Sequence, residues 1–95
     1  MLLQERVALV TGASRGIGAC AAEILARRGA KVAVSARTVS DLEAVAGSIR
    51  KNGGEALAVP CDVVEPEQVA AMVETVVKKW GRLDVLVNNA GLGTP

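Results

Sequence analysis

The most constraining feature of this 95-residue sequence is a glycine-rich segment that joins an apolar run directly to a helical pattern. The apolar run covers residues 6–11, and the segment reads T-G-A-S-R-G-I-G over residues 11–18. A glycine turn between a strand and a helix gathers backbone N–H groups at the positive end of the helix dipole, which favours anion binding. We therefore expect Gly12 to allow the tight turn, Gly16 to let a phosphate approach the backbone, and Gly18 to let the helix pack closely.

Apolar runs alternate with helical patterns along the chain. The runs cover residues 6–11, 31–36, 55–61 and 82–88, and their cores are unbroken, which is typical of strands buried on both faces of a parallel sheet. Between the runs, three apolar stripes recur at helical spacing: Ile17, Cys20, Ala21, Ile24 and Leu25; Leu42, Val45, Ala46 and Ile49; Val69, Met72, Val73, Val76, Val77 and Trp80.

This order of elements, β-α-β-α-β-α-β, predicts an α/β fold built on a partial doubly wound parallel sheet of the Rossmann type, with strand order 3-2-1-4. Pro60 agrees with an edge position for the third strand, because proline has no N–H to donate. The fourth strand, with Val85-Leu86-Val87 at its centre, would form the other edge and is very apolar for that position. We therefore interpret residues 1–95 as the N-terminal part of a single NAD(P)-binding domain, which stops after the fourth strand. Because that strand would be unpaired and apolar, we expect the isolated chain to self-associate.

Glycine, proline and hydroxyl residues mark the expected ends of the helices. Gly29 and Gly81 are predicted to follow the first and third helices, and Pro66 to lie in the first turn of the third. Ser40 with Glu43 three residues later predicts a capping box that opens the second helix.

Composition excludes several classes of protein. Lys plus Arg number 11 and Asp plus Glu 10, so the net charge of +1 argues against a nucleic-acid binder. There is no His, Tyr or Phe, which excludes a histidine triad, a histidine metal site and aromatic platforms for bases. Cys20 and Cys61 are too few for a disulfide framework or a cysteine-only zinc site, and both are predicted to be buried.

No apolar run approaches the ~20 residues that span a bilayer, and the first residues do not form a signal peptide. We therefore expect a cytoplasmic protein without a membrane partner.

Two arginines indicate the cofactor that the glycine segment would bind. An NAD site usually has an acid about 20 residues beyond the glycines, on the ribose 2′-hydroxyl. Here residues 35–38 read S-A-R-T, so Arg37 stands in that region, and Arg15 lies in the glycine segment. Two guanidinium groups suit a 2′-phosphate. The alternative is that both are solvated surface arginines.

Polar residues also follow the third and fourth runs, at the edge of a parallel sheet where ligands bind. Asp62-Val63 follows the third, and Asn88-Asn89-Ala90-Gly91 follows the fourth. Asp62 could equally be a turn residue. The paired asparagines could satisfy backbone groups and contact a ligand together.

The motifs T-G-A-S-R-G-I-G, D-V and N-N-A-G, in this order, resemble those of the short-chain dehydrogenase/reductase family, most closely its 3-oxoacyl-[acyl-carrier-protein] reductase-like members. The resemblance implies an NADP(H)-dependent oxidoreductase, with NAD(H) possible, that acts on a carbonyl or alcohol and forms homo-oligomers. It implies that the cofactor contacts are Gly12, Ser14, Arg15, Gly16, Ile17, Gly18, Arg37, Asp62, Val63, Asn89, Ala90 and Gly91. Among these, Arg37 would meet the 2′-phosphate and Asp62 the adenine.

The catalytic residues of the resembled family have no counterpart in this sequence. Its catalytic Ser, and its Tyr and Lys spaced Y-x-x-x-K, lie beyond the N-N-A-G motif, whereas this chain has no Tyr and its last lysine is Lys79. We therefore expect the 95 residues alone to be inactive. The alternative interpretation is a stand-alone nucleotide-binding or interaction module without catalysis.

Overall fold

The computed structural model describes residues 3–13, 16–61 and 66–88, with Asn88 described by its backbone only. Four strands form one parallel sheet in the order β3-β2-β1-β4, so the predicted doubly wound α/β fold of the Rossmann type and its strand order are confirmed. No helix within these residues is long and apolar enough to cross a membrane. The elements in chain order are β1 (Val7–Thr11), α1 (Gly16–Arg27), β2 (Lys31–Ala36), α2 (Val39–Lys51), β3 (Glu55–Pro60), α3 (Pro66–Trp80) and β4 (Val85–Asn88).

Helices cover both faces of the sheet. On one face α1 packs on β1 and β2 while α2 packs on β2 and β3, and on the other face α3 packs against β1. Side chains of β1 alternate between the faces, so Val10 belongs to the α1–α2 side and Leu9 to the α3 side. Both are fully buried. Burial on two faces therefore explains why the strand sequences are unbroken apolar runs.

Helix α1 turns a different face to the sheet from the one that the sequence predicts. Its buried residues are Gly18 and Ala22, whereas Ile17 is 77% exposed and Ile24 is 46% exposed. Small residues let the helix approach the strands closely, so the face with glycine and alanine packs on the sheet. Ile17 and Ile24 are displaced from the sheet, whereas Leu25 of the predicted stripe is partly buried against the core.

The two cysteines lie in different environments. Cys20 is exposed on the outer side of α1, so the prediction that it is buried is wrong. Cys61 is buried as predicted, and its Sγ lies 3.4 Å from the backbone oxygen of Gln68.

The glycines and the proline lie at the helix ends where the sequence places them. Gly29 and Gly81 follow α1 and α3 with positive φ values of 101° and 83°. Pro66 is the first residue of α3. Glycine adopts this left-handed conformation at low cost, which is why it ends these helices.

Helix α2 begins earlier than the predicted capping box. Val39 is its first residue and Thr38 its N-cap, and the Leu42 N–H donates to the Thr38 oxygen over 3.1 Å. Ser40 therefore lies inside the first turn, and the predicted box is wrong. The apolar stripe of α2 is confirmed, because its four members are all buried: Leu42, Val45, Ala46 and Ile49.

Strand β4 is shorter than its apolar run. It begins at Val85 rather than at residue 82, because the Val7 N–H of β1 bonds to the carboxylate of Asp84 over 2.9 Å rather than to a strand carbonyl. Strand β3 ends at Pro60, one residue before the predicted end, and lies at an edge of the sheet as predicted.

Candidate functional site

The carboxyl ends of the four strands are joined to one another by hydrogen bonds. The buried Thr11 Oγ1 donates to the Val87 oxygen over 3.3 Å, which joins β1 to β4. The Ala13 N–H donates to the Ser35 oxygen over 3.0 Å, which joins the loop after β1 to β2. The Cys61 N–H donates to the Ala36 oxygen over 3.0 Å, which joins β3 to β2. This edge of the sheet is therefore a firm platform for a ligand.

The glycine-rich turn lies at the centre of this platform. Gly12, directly after β1, has φ 63°, and Gly16, the first residue of α1, has φ 64°. Both values lie in the left-handed region that L side chains rarely adopt. A Cβ built on Gly16 would meet no described atom within 4 Å, so its backbone faces open space at the positive end of the α1 dipole. That combination fits a phosphate-bearing ligand.

Arg37 lies beside the turn, just beyond the end of β2. Its side chain is exposed, and neither ion pair in the described part of the chain involves it. Thr38, the next residue, is the N-cap of α2 but makes no side-chain capping bond. The first N–H groups of α2 and the guanidinium of Arg37 therefore lie at the same edge of the sheet, with a combined preference for an anion.

The described part of the chain brings together several of the predicted contacts at this edge. Gly12, Gly16 and Arg37 lie there, the exposed Ile17 lies in the first turn of α1, and Gly18 is buried against the sheet. The other predicted contacts lie outside the described residues: Ser14, Arg15, Asp62, Val63, Asn89, Ala90 and Gly91.

Two polar residues of this edge were not singled out from the sequence. Ser35 is fully buried at the end of β2, and its Oγ has no hydrogen-bond partner among the described residues. Its signal in the sequence was a hydroxyl within an otherwise apolar strand. Thr38 was hidden by the competing capping signal of Ser40, two residues later.

Asp84, a carboxyl group with a lowered pKa, lies at the amino ends of β1 and β4, opposite the glycine turn. Hydrogen bonds from Arg82 and from the Val7 N–H lower the pKa of Asp84 to about 2. This carboxylate is therefore engaged in holding β1 and β4 together, far from the glycine turn. Within the described ranges, no group of three or more His, Cys, Asp or Glu could hold a metal ion.

Known proteins share both the sequence and this architecture. Residues 6–95 match the short chain dehydrogenase family. The short-chain reductase protein NovJ of Streptomyces niveus is 52% identical over 89 residues, which are 94% of this chain and 34% of NovJ. A 3-oxoacyl-[acyl-carrier-protein] reductase of Synechocystis sp. is 48% identical over 91 residues, covering 95% of this chain and 37% of the reductase.

A crystal structure of a metagenomic short-chain oxidoreductase in complex with NADP superposes with a TM-score of 0.90 at 49% identity, covering 96% of this chain and 41% of the other. The chain thus spans between about a third and two fifths of the length of these relatives. With a matching fold and a family match over residues 6–95, the chain belongs to the short-chain dehydrogenase family of oxidoreductases.

Proposed function

We propose that the carboxyl edge of this sheet binds NADP(H), as the cofactor-binding part of an oxidoreductase acting on a carbonyl or alcohol. The observation that carries the proposal is Gly16, whose left-handed backbone faces open space at the start of α1. A dinucleotide needs this arrangement, because its pyrophosphate must approach backbone N–H groups without meeting a Cβ atom. The matched oxidoreductase structure is a complex with NADP, which supports the same ligand here.

The residues of this chain would bind and orient the cofactor. Gly12, Gly16 and the first turn of α1 would hold the pyrophosphate. Arg37 would neutralise the 2′-phosphate, with the uncapped start of α2 beside it. When bound, NADP(H) supplies the hydride that is exchanged with the substrate. The contacts predicted at Ser14, Arg15, Asp62, Val63, Asn89, Ala90 and Gly91 remain part of this proposal.

Preference for NADP(H) over NAD(H) follows from the charges beside the ribose. Residues 35–38 contain Arg37 and no acid, and an acid there would repel the 2′-phosphate. A charge-assisted hydrogen bond to phosphate is among the stronger polar contacts in proteins.

In this proposal the 95 residues bind the cofactor, and the catalytic groups lie outside them. The sequence contains no Tyr, and its last lysine is Lys79 in α3. The 95 residues would therefore be the N-terminal part of a single NAD(P)-binding domain, and we expect them to oxidise no NADPH when mixed with ketones.

The test compares two glycines with the same backbone strain. Gly16→Ala and Gly81→Ala each place a side chain at positive φ with no described atom within 4 Å, so both should lose about 1–2 kcal/mol of stability. Calorimetric titration with NADPH should show at least a tenfold weaker binding for Gly16→Ala alone, about 1.4 kcal/mol. Equal NADPH affinity in the two variants, or no binding by the unaltered chain, would refute the proposed site.

A further inference from the structure

Basic side chains collect where the three helices end. Each helix runs back along the parallel strands, so all three end at the edge of the sheet where the strands begin, which we call the amino edge. Each helix has two exposed cations in its last turn or directly after it: Arg27 and Arg28 at α1, Arg50 and Lys51 at α2, and Lys78 and Lys79 at α3. A cation complements this end of a helix dipole, but two full charges exceed the roughly half charge that the dipole places there.

Further cations lie at the amino ends of the strands. Arg6 precedes β1, Lys31 begins β2, and Arg82 lies between α3 and β4. Because sheets have only small dipoles, these charges complement no field of the backbone. Among the described residues, Arg37 is the one lysine or arginine that lies elsewhere. The chain's net charge of +1 therefore conceals a strong concentration of positive charge at one edge of the sheet.

Few carboxylates balance this charge. The described acids at the amino edge are Glu5, Glu55 and Asp84, and Asp84 is already engaged by Arg82 over 2.8 Å. Neither ion pair of the described chain involves a cation of the helix ends. The first turns of α2 and α3, at the opposite edge, carry acids instead. The cations of the helix ends therefore have no carboxylate partner within the described chain.

The other residues of the amino edge indicate which anionic partner fits. Trp80, the single aromatic residue of the sequence, packs partly buried against the core on the α3 side, so it is a poor anchor for bases or for a bilayer interface. The exposed Glu5 and Glu55 would repel the phosphates of a nucleic acid or of lipid headgroups, whereas a protein surface can meet them with its own cations. Arginine binds carboxylates in bidentate geometry and is enriched in protein interfaces. These features favour a protein.

We propose that the amino edge docks a protein surface rich in aspartate and glutamate, which lies against the ends of the three helices. This edge is at the opposite end of the strands from the glycine turn, so a partner bound there leaves the proposed cofactor site open. Because the contact is mainly between exposed charges, it is weak and weakens further as salt screens them.

Titration of the chain with fluorescent poly-L-glutamate at low salt tests this surface. The variant combines Arg28→Gln, Lys51→Gln and Lys79→Gln, which remove one charge from each helix end and keep a good helix former there. Since one exposed ion pair is worth about 1.4- to 5-fold in affinity, polyglutamate binding should weaken by roughly 3- to 100-fold in the triple variant. If circular dichroism shows that the triple variant is unfolded, the three single variants replace it, each with an expected loss of about 1.4- to 5-fold.

The matched control lowers the net charge by the same amount away from the amino edge. It combines Ser40→Glu, Ala44→Glu and Ala70→Glu, at exposed positions in the first halves of α2 and α3. Because these positions are far from the helix ends, polyglutamate affinity should change by less than about twofold. Equal losses in the control and in the helix-end variant would assign binding to net charge alone and would overturn the proposal.

Competing anions complete the test. Phosphatidylserine vesicles and duplex DNA, supplied at the same concentration of negative charge, should bind the chain more weakly than polyglutamate does. Tighter binding of either would assign the amino edge to phosphates and would overturn the proposal. Saturating NADPH should not displace polyglutamate, whether or not NADPH binds at the glycine turn, and displacement would overturn the proposal too.

Discussion

Asp84 and Val7 exchange two hydrogen bonds at the amino ends of β4 and β1. The Asp84 N–H donates to the Val7 oxygen over 2.9 Å, and the Val7 N–H donates to Oδ2 of Asp84 over 2.9 Å. At the other end of the same strand pair, the hydroxyl of Thr11 donates to the Val87 oxygen. The short strand β4 is therefore fixed to β1 at both ends.

The Asp84 contact makes stability depend on acid pH. Hydrogen bonds from Arg82 and Val7 lower the pKa of Asp84 from its ordinary 3.8 to about 2. The unfolded chain therefore binds more protons between these values, and the free energy of unfolding falls as the pH is lowered from about 4 to about 2. We expect Asp84→Asn to flatten this dependence in urea titrations at several pH values. Glu43→Gln, which removes an exposed carboxylate of α2, should leave the dependence in place, and an unchanged slope in Asp84→Asn would contradict the assignment.

Local patterns and general rules of chain topology were enough to predict the sheet. Right-handed crossovers leave few possible topologies, the usual dinucleotide-binding arrangement among them gives the order β3-β2-β1-β4, and Pro60 independently marks β3 as an edge. Which face of α1 packs on the sheet was not predictable in this way, because apolar residues lie almost all around the helix. A stripe with Ile17 and Ile24 and a stripe with Gly18 and Ala22 were both possible. The choice between Ile17 and Gly18 as the inward residue depends on how closely the helix approaches the sheet.

Contacts between residues far apart in the chain also could not be predicted from a local sequence pattern. Asp84 and Val7 are 77 residues apart, and nothing in the local sequence joins them. At the candidate site, the glycine turn and Arg37 were predicted because their motif is local. Ser35 and Thr38 were missed because their role depends on what surrounds them after folding.

The turn between α2 and β3 offers a paired test of packing. A Cβ on Gly54 would lie 2.9 Å from Cγ2 and 3.3 Å from the oxygen of Ile49, whereas a Cβ on Gly47 would meet no described atom within 4 Å. Gly54→Ala should therefore destabilise the chain by about 1–3 kcal/mol. Gly47→Ala, within helix α2, should stabilise it by about 0.5–1 kcal/mol. Urea denaturation measures both, and equal effects in the two variants would contradict the close packing at Gly54.

The environments of the cysteines predict two reactivities. Cys20 is exposed on α1, and Cys61 is buried with its thiol near the Gln68 carbonyl. Under native conditions a thiol reagent should modify Cys20 rapidly and Cys61 only as fast as the chain opens. Mass spectrometry after short labelling, with Cys20→Ser as the control, should find one modification in the unaltered chain and none in the variant. Rapid double labelling would contradict the burial of Cys61.

NADP(H) binding at this sheet, with Arg37 on the 2′-phosphate, is tested most directly by measuring the affinity of an Arg37→Ala variant for NADPH and for NADH. The two cofactors differ only in the 2′-phosphate. A charged hydrogen bond contributes about 1.5–3 kcal/mol, so we expect NADPH binding to weaken by roughly 10- to 150-fold while NADH binding changes little. Arg28→Ala, which removes an exposed arginine just beyond the end of α1, is the matched control and should alter neither affinity. An equal loss of affinity for both cofactors, or no loss for either, would contradict binding of the 2′-phosphate by Arg37 and would make Arg37 an ordinary surface residue.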